Sequence, residues 1–179
     1  CDDLRPEYDN EMIEKWIKGE TGFPFLDACM KFLQTNGWIN FRMRAMIMSF
    51  ASYNMWQPWQ KTSPLLAELF TDYEPGIHIS QVQMQSGVTG INLPRIYSVT
   101  KQSMDQDPNA DWIKRLIPKL REFDPKLIHE ANLNNSYIPK IVDLKESAKF
   151  ARDQVWSIRK NEQFKNEAKL VYLKHGSRR

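Results

Sequence analysis

Two arginines and two carboxylates are the residues of this chain whose types and spacing point to chemistry. Arg42 and Arg44 lie in the apolar stretch INFRMRAMIMSF, and Asp72 and Glu74 follow in FTDYEPG. A guanidinium that cannot reach water needs an anionic partner, because an unpaired buried charge is very costly. The apolar neighbours of Arg44 therefore predict a buried ion pair, with Asp72 or Glu74 as the partner.

The elements that must position these residues are two helices on either side of an Asn36-Gly37 turn. Apolar residues recur at helical spacing in FLDACMKFLQ and again in FRMRAMIMSFA. No run alternates apolar and polar residues over the length of a strand, so the predicted fold class is all-α, irregular and multi-helical, with a long basic helix at the C-terminal end. The residues between 87 and 108 are predicted to be mostly loop, with a short turn at 100–104. The other predicted helices run over 10–17, 63–70 with Ser63 as its cap, 77–85, 111–120, 124–129 and 144–173.

Length, charge and cysteine content limit the classes of protein. The 179 residues fit one compact domain, and no apolar run approaches the length of a membrane span. Residues 144–179 hold ten Lys and Arg against four Asp and Glu, whereas the rest holds 15 against 18. We therefore expect a body at 1–143 and a basic extension at 144–179, which is either a solvated helix face or a surface for nucleic acid or another partner. Cys1 and Cys29 form no disulfide framework or metal spacing, which favours a cytoplasmic protein without a metal site.

An ordered series of motifs resembles the flavin-binding domain of the photolyase/cryptochrome family. It reads TGFPxxDAxM from Thr21, then GW, RMR, SF and DYE, and it continues through RIY, Gln102, DP and IHE to about residue 145. The resemblance implies FAD as the cofactor. It also implies the C-terminal part of the flavin domain, with its preceding helices and an N-terminal antenna domain lying outside this sequence, so this piece is expected to retain FAD weakly or not at all. A first residue that is not Met fits a fragment or a processed chain.

The resemblance assigns residues to the cofactor. It implies that Arg44 pairs with Asp72 beside the flavin ring, that Glu74 replaces a second Asp, and that Phe41 replaces an Asn. His78 falls at the position facing the flavin N5, where an imidazole can exchange a proton near neutral pH. For each of these residues the alternative is packing or a structural ion pair without a ligand. The implied cofactor-binding residues are Trp38, Phe41, Arg42, Arg44, Asp72, Tyr73, Glu74 and His78.

Members of the resembled family reduce flavin by electron transfer along a row of tryptophans. Trp59 takes the middle position of that row, and we predict catalytic roles for Trp59 and His78. Val82 stands at the position nearest the flavin and cannot carry an electron, and residues 6–8 hold no Trp for the distal position. The familiar relay is therefore interrupted. Aromatic residues available for another route are Tyr8, Tyr53 and Trp56, for each of which core packing is the alternative.

The implied function is repair of damaged DNA. Met84 aligns with a Trp that stacks on a flipped pyrimidine dimer, Arg95 and Lys101 are predicted to contact phosphates, and Gln102 aligns with a DNA-contacting Gln. The resemblance implies a deoxyribodipyrimidine photolyase, in which light-excited reduced FAD donates an electron that splits the dimer. Activity is expected of the full-length protein and not of this piece alone. The alternatives are a cryptochrome-like FAD-binding photosensor without repair activity and a helical scaffold that has lost flavin.

Overall fold

The computed structural model describes residues 4–89, 94–160, 166, 169, 170, 173 and 174. All regular structure in these residues is helical, as the sequence predicts. The nine α-helices of this part are α1 (Asn10–Lys18), α2 (Pro24–Asn36), α3 (Phe41–Ser49), α4 (Trp59–Leu69), α5 (Pro75–Ser86), α6 (Val99–Gln106), α7 (Asp111–Leu116), α8 (Pro125–His129) and α9 (Leu144–Arg159). A π-helical turn (Phe50–Asn54) continues α3, and two 3-10 turns lie at Pro118–Leu120 and Asn134–Ser136.

Helix α2 is the centre of the core. Its first seven residues are buried, and it packs against α1, α3, α6, α7 and α8. It begins with Pro24, whose fixed φ suits the first turn, and it ends at Gly37, which adopts the left-handed conformation at φ 68°. The predicted turn at Asn36-Gly37 is confirmed.

The buried carboxylate of Asp27 ties α2 to distant parts of the chain. Its two oxygens accept hydrogen bonds from the amide and hydroxyl of Thr21, from the amide of Gly22 and from the hydroxyl of Tyr137. Thr21 in turn accepts a backbone hydrogen bond from Ile141 at 3.0 Å. The network therefore fixes the segment at 137–141 against the start of α2.

Three helices differ from the prediction. Helix α7 ends at Leu116 and is followed by the 3-10 turn at Pro118–Leu120, whereas the predicted helix runs to residue 120, because Pro118 lacks the backbone N–H that would continue an α-helix. Helix α4 begins at Trp59, four residues before the predicted cap Ser63, and contains Pro64 in its second turn. Helix α6 covers eight residues where the sequence predicts mostly loop, and it begins where the hydroxyl of Ser98 accepts from the amide of Lys101. Its composition is polar and gives no apolar periodicity.

Helix α9 confirms the first half of the predicted C-terminal helix. Asp143 caps it by accepting from the amides of Lys145 and Glu146, and Ala151 and Val155 are its buried residues. Of the rest of that prediction, residues 161–165, 167, 168, 171 and 172 lie outside the described residues. No helix among the described residues is both long and apolar enough to cross a membrane.

Candidate functional site

A cavity of about 290 Å³ opens between α3, α5 and the segment at 70–74. Apolar and aromatic side chains form most of its wall, and an ion pair, a second carboxylate, an imidazole and two amides supply its polar groups. It brings together six of the eight residues that the resemblance assigns to the cofactor, namely Phe41, Arg44, Asp72, Tyr73, Glu74 and His78.

Arg44 supplies the cation of this cavity. Its Nη2 lies 2.8 Å from Oδ2 of Asp72, its Nε donates to the carbonyl of Ile39, and its guanidinium lies 4.2 Å from the ring centroid of Phe70. The pair predicted from the sequence is therefore formed. Its predicted burial is wrong, because the two side chains are 27% and 47% exposed at the rim of the cavity. The hydrogen bond from Arg44 lowers the pKa of Asp72 below its usual value.

A close contact between Gly37 and Thr71 holds Asp72 in place. The amide and hydroxyl of Thr71 both donate to the carbonyl of Gly37. A Cβ on Gly37 would lie only 2.3 Å from Cγ2 of Thr71, so a glycine is required at this approach. The contact sets the chain direction that aims Asp72 at α3.

Glu74 has a structural role at the start of α5. Its Oε2 accepts from the amide of Ile77 at 2.7 Å, so it caps the helix that carries His78. The alternative prediction, in which Glu74 is the partner of Arg44, is therefore wrong.

His78 projects from the first turn of α5 into the cavity. Its Nε2 lies 3.1 Å from both the hydroxyl and the carbonyl oxygen of Ser63. A carbonyl only accepts, so Nε2 carries the hydrogen and Nδ1 is the acceptor of the neutral ring. Burial lowers the pKa of His78, and the positive charge of Arg44 acts in the same direction. The imidazole is therefore neutral at pH 7.

Two glutamines of the cavity are missing from the sequence prediction. Gln81 and Gln85 line it, and the Oε1 of Gln81 is buried without a hydrogen-bond partner among the described residues. An unsatisfied buried acceptor is costly, so Gln81 calls for a ligand that donates an N–H or O–H group. Helical spacing offers the sequence pattern that would have found them, because residues 78, 81, 82 and 85 share one face of a helix.

The remaining residues assigned to cofactor or catalysis lie outside this cavity. Trp38 is 51% exposed, with the Arg44 guanidinium 5.9 Å from its ring centroid, and Arg42 is exposed on α3. Trp59 lines a neighbouring groove on α4. Tyr73 borders both this groove and the cavity.

The residues predicted to contact DNA are dispersed. Arg95 and Lys101 are exposed, and Lys101 forms a surface ion pair with Asp105 at 3.2 Å. Met84 is half-buried and does not line the cavity. Gln102 is only 8% exposed because its face of α6 packs inward, which contradicts a side chain presented to DNA.

The comparisons with known proteins agree on one family. The family model described as the FAD binding domain of DNA photolyase matches residues 1–157. A deoxyribodipyrimidine photo-lyase of Alkalihalophilus pseudofirmus is 31% identical over 130 residues, which are 72% of this chain and 27% of that protein. A cryptochrome DASH of Gloeobacter violaceus is 28% identical over 160 residues, which are 82% of this chain and 32% of that protein.

A solved structure has the same fold. An archaeal photolyase from Sulfolobus tokodaii, crystallised with two FAD molecules, superposes with a TM-score of 0.78 at 26% identity. The match covers 84% of this chain and 36% of that one. The chain thus spans about a third of the length of the relatives it matches.

Proposed function

The chain belongs to the family of FAD-binding domains of DNA photolyase, and from this we propose that the cavity between α3 and α5 receives the isoalloxazine ring of FAD. The observation that carries the proposal is the set of polar groups around an otherwise apolar cavity: the Arg44–Asp72 pair, the neutral His78 and the unpartnered Oε1 of Gln81.

The residues fit this group. An oxidised isoalloxazine ring is flat and apolar on its faces, and its edge carries carbonyl acceptors and a single N–H donor. The guanidinium of Arg44 suits a carbonyl oxygen, and Oε1 of Gln81 suits the N–H. Phe41 and Val82 offer apolar surface to the ring faces. When bound, FAD supplies light absorption and one-electron chemistry.

His78 is the residue of this cavity that we propose to control protonation of the ring. Nε2 is held by Ser63, and Nδ1, which has no hydrogen-bond partner among the described residues, can accept a hydrogen bond from the ligand. Trp38, Arg42, Tyr73 and Trp59 are proposed to act from the periphery of the cavity.

For the complete protein we propose photolyase activity on pyrimidine dimers in DNA. The exposed cations Arg95 and Lys101 support contact with DNA phosphates. The second candidate is a cryptochrome-like photosensor without repair activity. It is favoured by Val82, which is 4% exposed and cannot relay an electron, and by the burial of Gln102.

A flavin titration tests the cavity. The full chain is titrated with riboflavin and with 3-methylriboflavin, which lacks the ring N–H, and binding is followed by flavin fluorescence. We expect methylation to weaken binding about tenfold, the cost of one unsatisfied buried acceptor. Gln81→Met should abolish the difference, whereas Gln83→Met, on the same helix but outside the cavity, should preserve it. Equal binding of riboflavin and 3-methylriboflavin would refute the role of Gln81, and absence of flavin binding by the complete protein would refute the proposed cavity.

A repair assay separates the two candidate functions. The complete protein is illuminated with blue light in the presence of dimer-containing duplex, and the loss of dimers is measured. Photolyase activity predicts light-dependent loss of dimers. A protein that binds flavin and leaves the dimers intact is a photosensor.

A further inference from the structure

A second cleft, of about 760 Å³, lies between the segment at 96–100 and the start of α9. It shares no lining residue with the cavity between α3 and α5. Three cationic side chains, Lys140, Lys145 and Arg152, line it beside two carboxylates, Glu130 and Asp143, and none of the cations forms an ion pair with another described residue. The Asp143 carboxylate interacts electrostatically with Lys140 and Lys145, and the lining keeps an excess of one positive charge for an anionic ligand.

The N-terminus of α6 adds to this positive potential. Val99, its first residue, and Thr100 line the cleft. The first amides of a helix have no intrahelical acceptor, and the helix dipole favours an anion there. Ser98 caps only the amide of Lys101 with a neutral hydroxyl. In contrast, the carboxylate of Asp143 already occupies the N-terminus of α9.

An independent observation at Asn54 points to a ligand. This side chain lines the cleft and is only 5% exposed. Its Nδ2 donates to the hydroxyl of Ser147, which in turn donates to the carbonyl of Asp143, so the orientation of the amide is fixed. Its Oδ1 is buried and has no hydrogen-bond partner in the part of the chain that the structure describes. A buried acceptor of this kind calls for an N–H or O–H donor.

We propose that this cleft binds a nucleoside monophosphate, either free or as part of a nucleic-acid strand. The phosphate is held by the three cations and the first amides of α6, and Asn54 accepts a hydrogen bond from a hydroxyl or amino group of the same ligand. A phosphorylated nucleoside carries both kinds of group, and the volume suits a small molecule. The inference stands apart from the proposed flavin cavity and does not depend on it.

Calorimetric titration of the full chain tests the proposal. The probes are adenosine 5′-monophosphate, inorganic phosphate and adenosine, and we expect the monophosphate to bind more tightly than either part. Arg152→Gln should weaken its binding about tenfold through loss of one charged hydrogen-bond donor. Lys149→Gln removes the same charge from an exposed position of α9 outside the cleft and should change nothing.

Two outcomes would overturn the site. Equal weakening by Arg152→Gln and Lys149→Gln would mean that binding follows overall charge. Inorganic phosphate binding as tightly as the monophosphate would remove the role of Asn54. Competition with a single-stranded oligodeoxynucleotide shows whether the nucleotide belongs to a strand or is free. If the oligonucleotide displaces the monophosphate, with the same dependence on Arg152, the ligand is a strand. If it does not displace the monophosphate, the ligand is a free nucleotide.

Discussion

Replacement of Asp27 by Asn should destabilise this domain more than any other isosteric change at a carboxylate. Asp27 is fully buried, and its oxygens take four hydrogen bonds: two from Thr21, one from the amide of Gly22 and one from Tyr137. An Asn keeps one oxygen and turns an NH₂ group toward two of the donors. If the NH₂ group replaces Oδ1, it faces the backbone N–H of Thr21, and if it replaces Oδ2, it faces the backbone N–H of Gly22. In either case one backbone N–H loses its acceptor.

The magnitude follows from this count. A buried amide left unsatisfied costs about 1–3 kcal/mol, and the remaining bonds lose the advantage of a charged acceptor. We therefore expect Asp27→Asn to lower the free energy of unfolding by about 3 kcal/mol, a large share of typical domain stability. Tyr137→Phe, which removes a single bond, should cost about 1.5 kcal/mol. Burial raises the pKa of the Asp27 carboxyl, and the four donors oppose that shift.

Urea unfolding followed by far-ultraviolet circular dichroism measures these costs. Asp124→Asn is the matched control, because Asp124 caps α8 at an exposed position and Asn caps a helix about as well as Asp. The double variant Asp27→Asn/Tyr137→Phe should lose less than the sum of the single variants, because the two residues share a bond. A loss for Asp27→Asn no larger than that of the control would refute the reasoning.

Three further predictions concern the surroundings of the two sites. Asp72→Asn should lower the free energy of unfolding by about 1 kcal/mol or less, because its ion pair with Arg44 is half-exposed. High salt should bring the free energies of unfolding of the variant and the unchanged protein closer together. The pKa of His78 is lowered in the folded state, so on acidification the unfolded state binds a proton at this residue first. The free energy of unfolding should therefore fall as the pH drops below about 6.5. In chemical unfolding, His78→Gln should make the free energy of unfolding depend less on pH in that range. Gly87→Ala should cost more than 1 kcal/mol or so, because φ is 74° and the new Cβ would lie 2.2 Å from the hydroxyl of Tyr53. Tyr53→Phe should relieve part of that cost in thermal unfolding, and an unchanged cost would contradict the contact.

The helices were largely predictable because their ends carry local chemistry. The stop at Gly37 and the start at Pro24 depend only on neighbouring residues. Helix α4 was misplaced because its N-cap residue, Pro58, has no side chain that can cap the helix, so Ser63-Pro64 gave the stronger local pattern. Helix α6 escaped prediction because a polar helix leaves no apolar period to detect.

The partners in the candidate site were predictable, whereas their exposure was not. The family pattern named Arg44 and Asp72 as a pair, and the structure forms it. Apolar neighbours in sequence do not decide burial, because one side of α3 faces an open cavity whose other walls come from α5. Helical spacing would have placed Gln81 on the same face of α5 as His78, but only the structure shows that its Oε1 is buried without a hydrogen-bond partner among the described residues. The bond between Asp27 and Tyr137 joins residues 110 positions apart, and no local rule predicts it.

One continuous helical segment serves both sites, and the π-helical turn at its end explains how. Arg44 and Met48 of α3 line the cavity, and Asn54, at the end of the turn, lines the cleft. The amide of Met55 bonds to the carbonyl of Phe50, five residues back, so this turn is wider than an α-helical one. An α-helical continuation would rotate each later side chain about the axis and aim Asn54 elsewhere, since consecutive residues differ by about 100°. Wide turns of this kind are frequent at functional sites, and here the turn sets the position of Asn54 at the cleft, away from the face that α3 presents to the cavity.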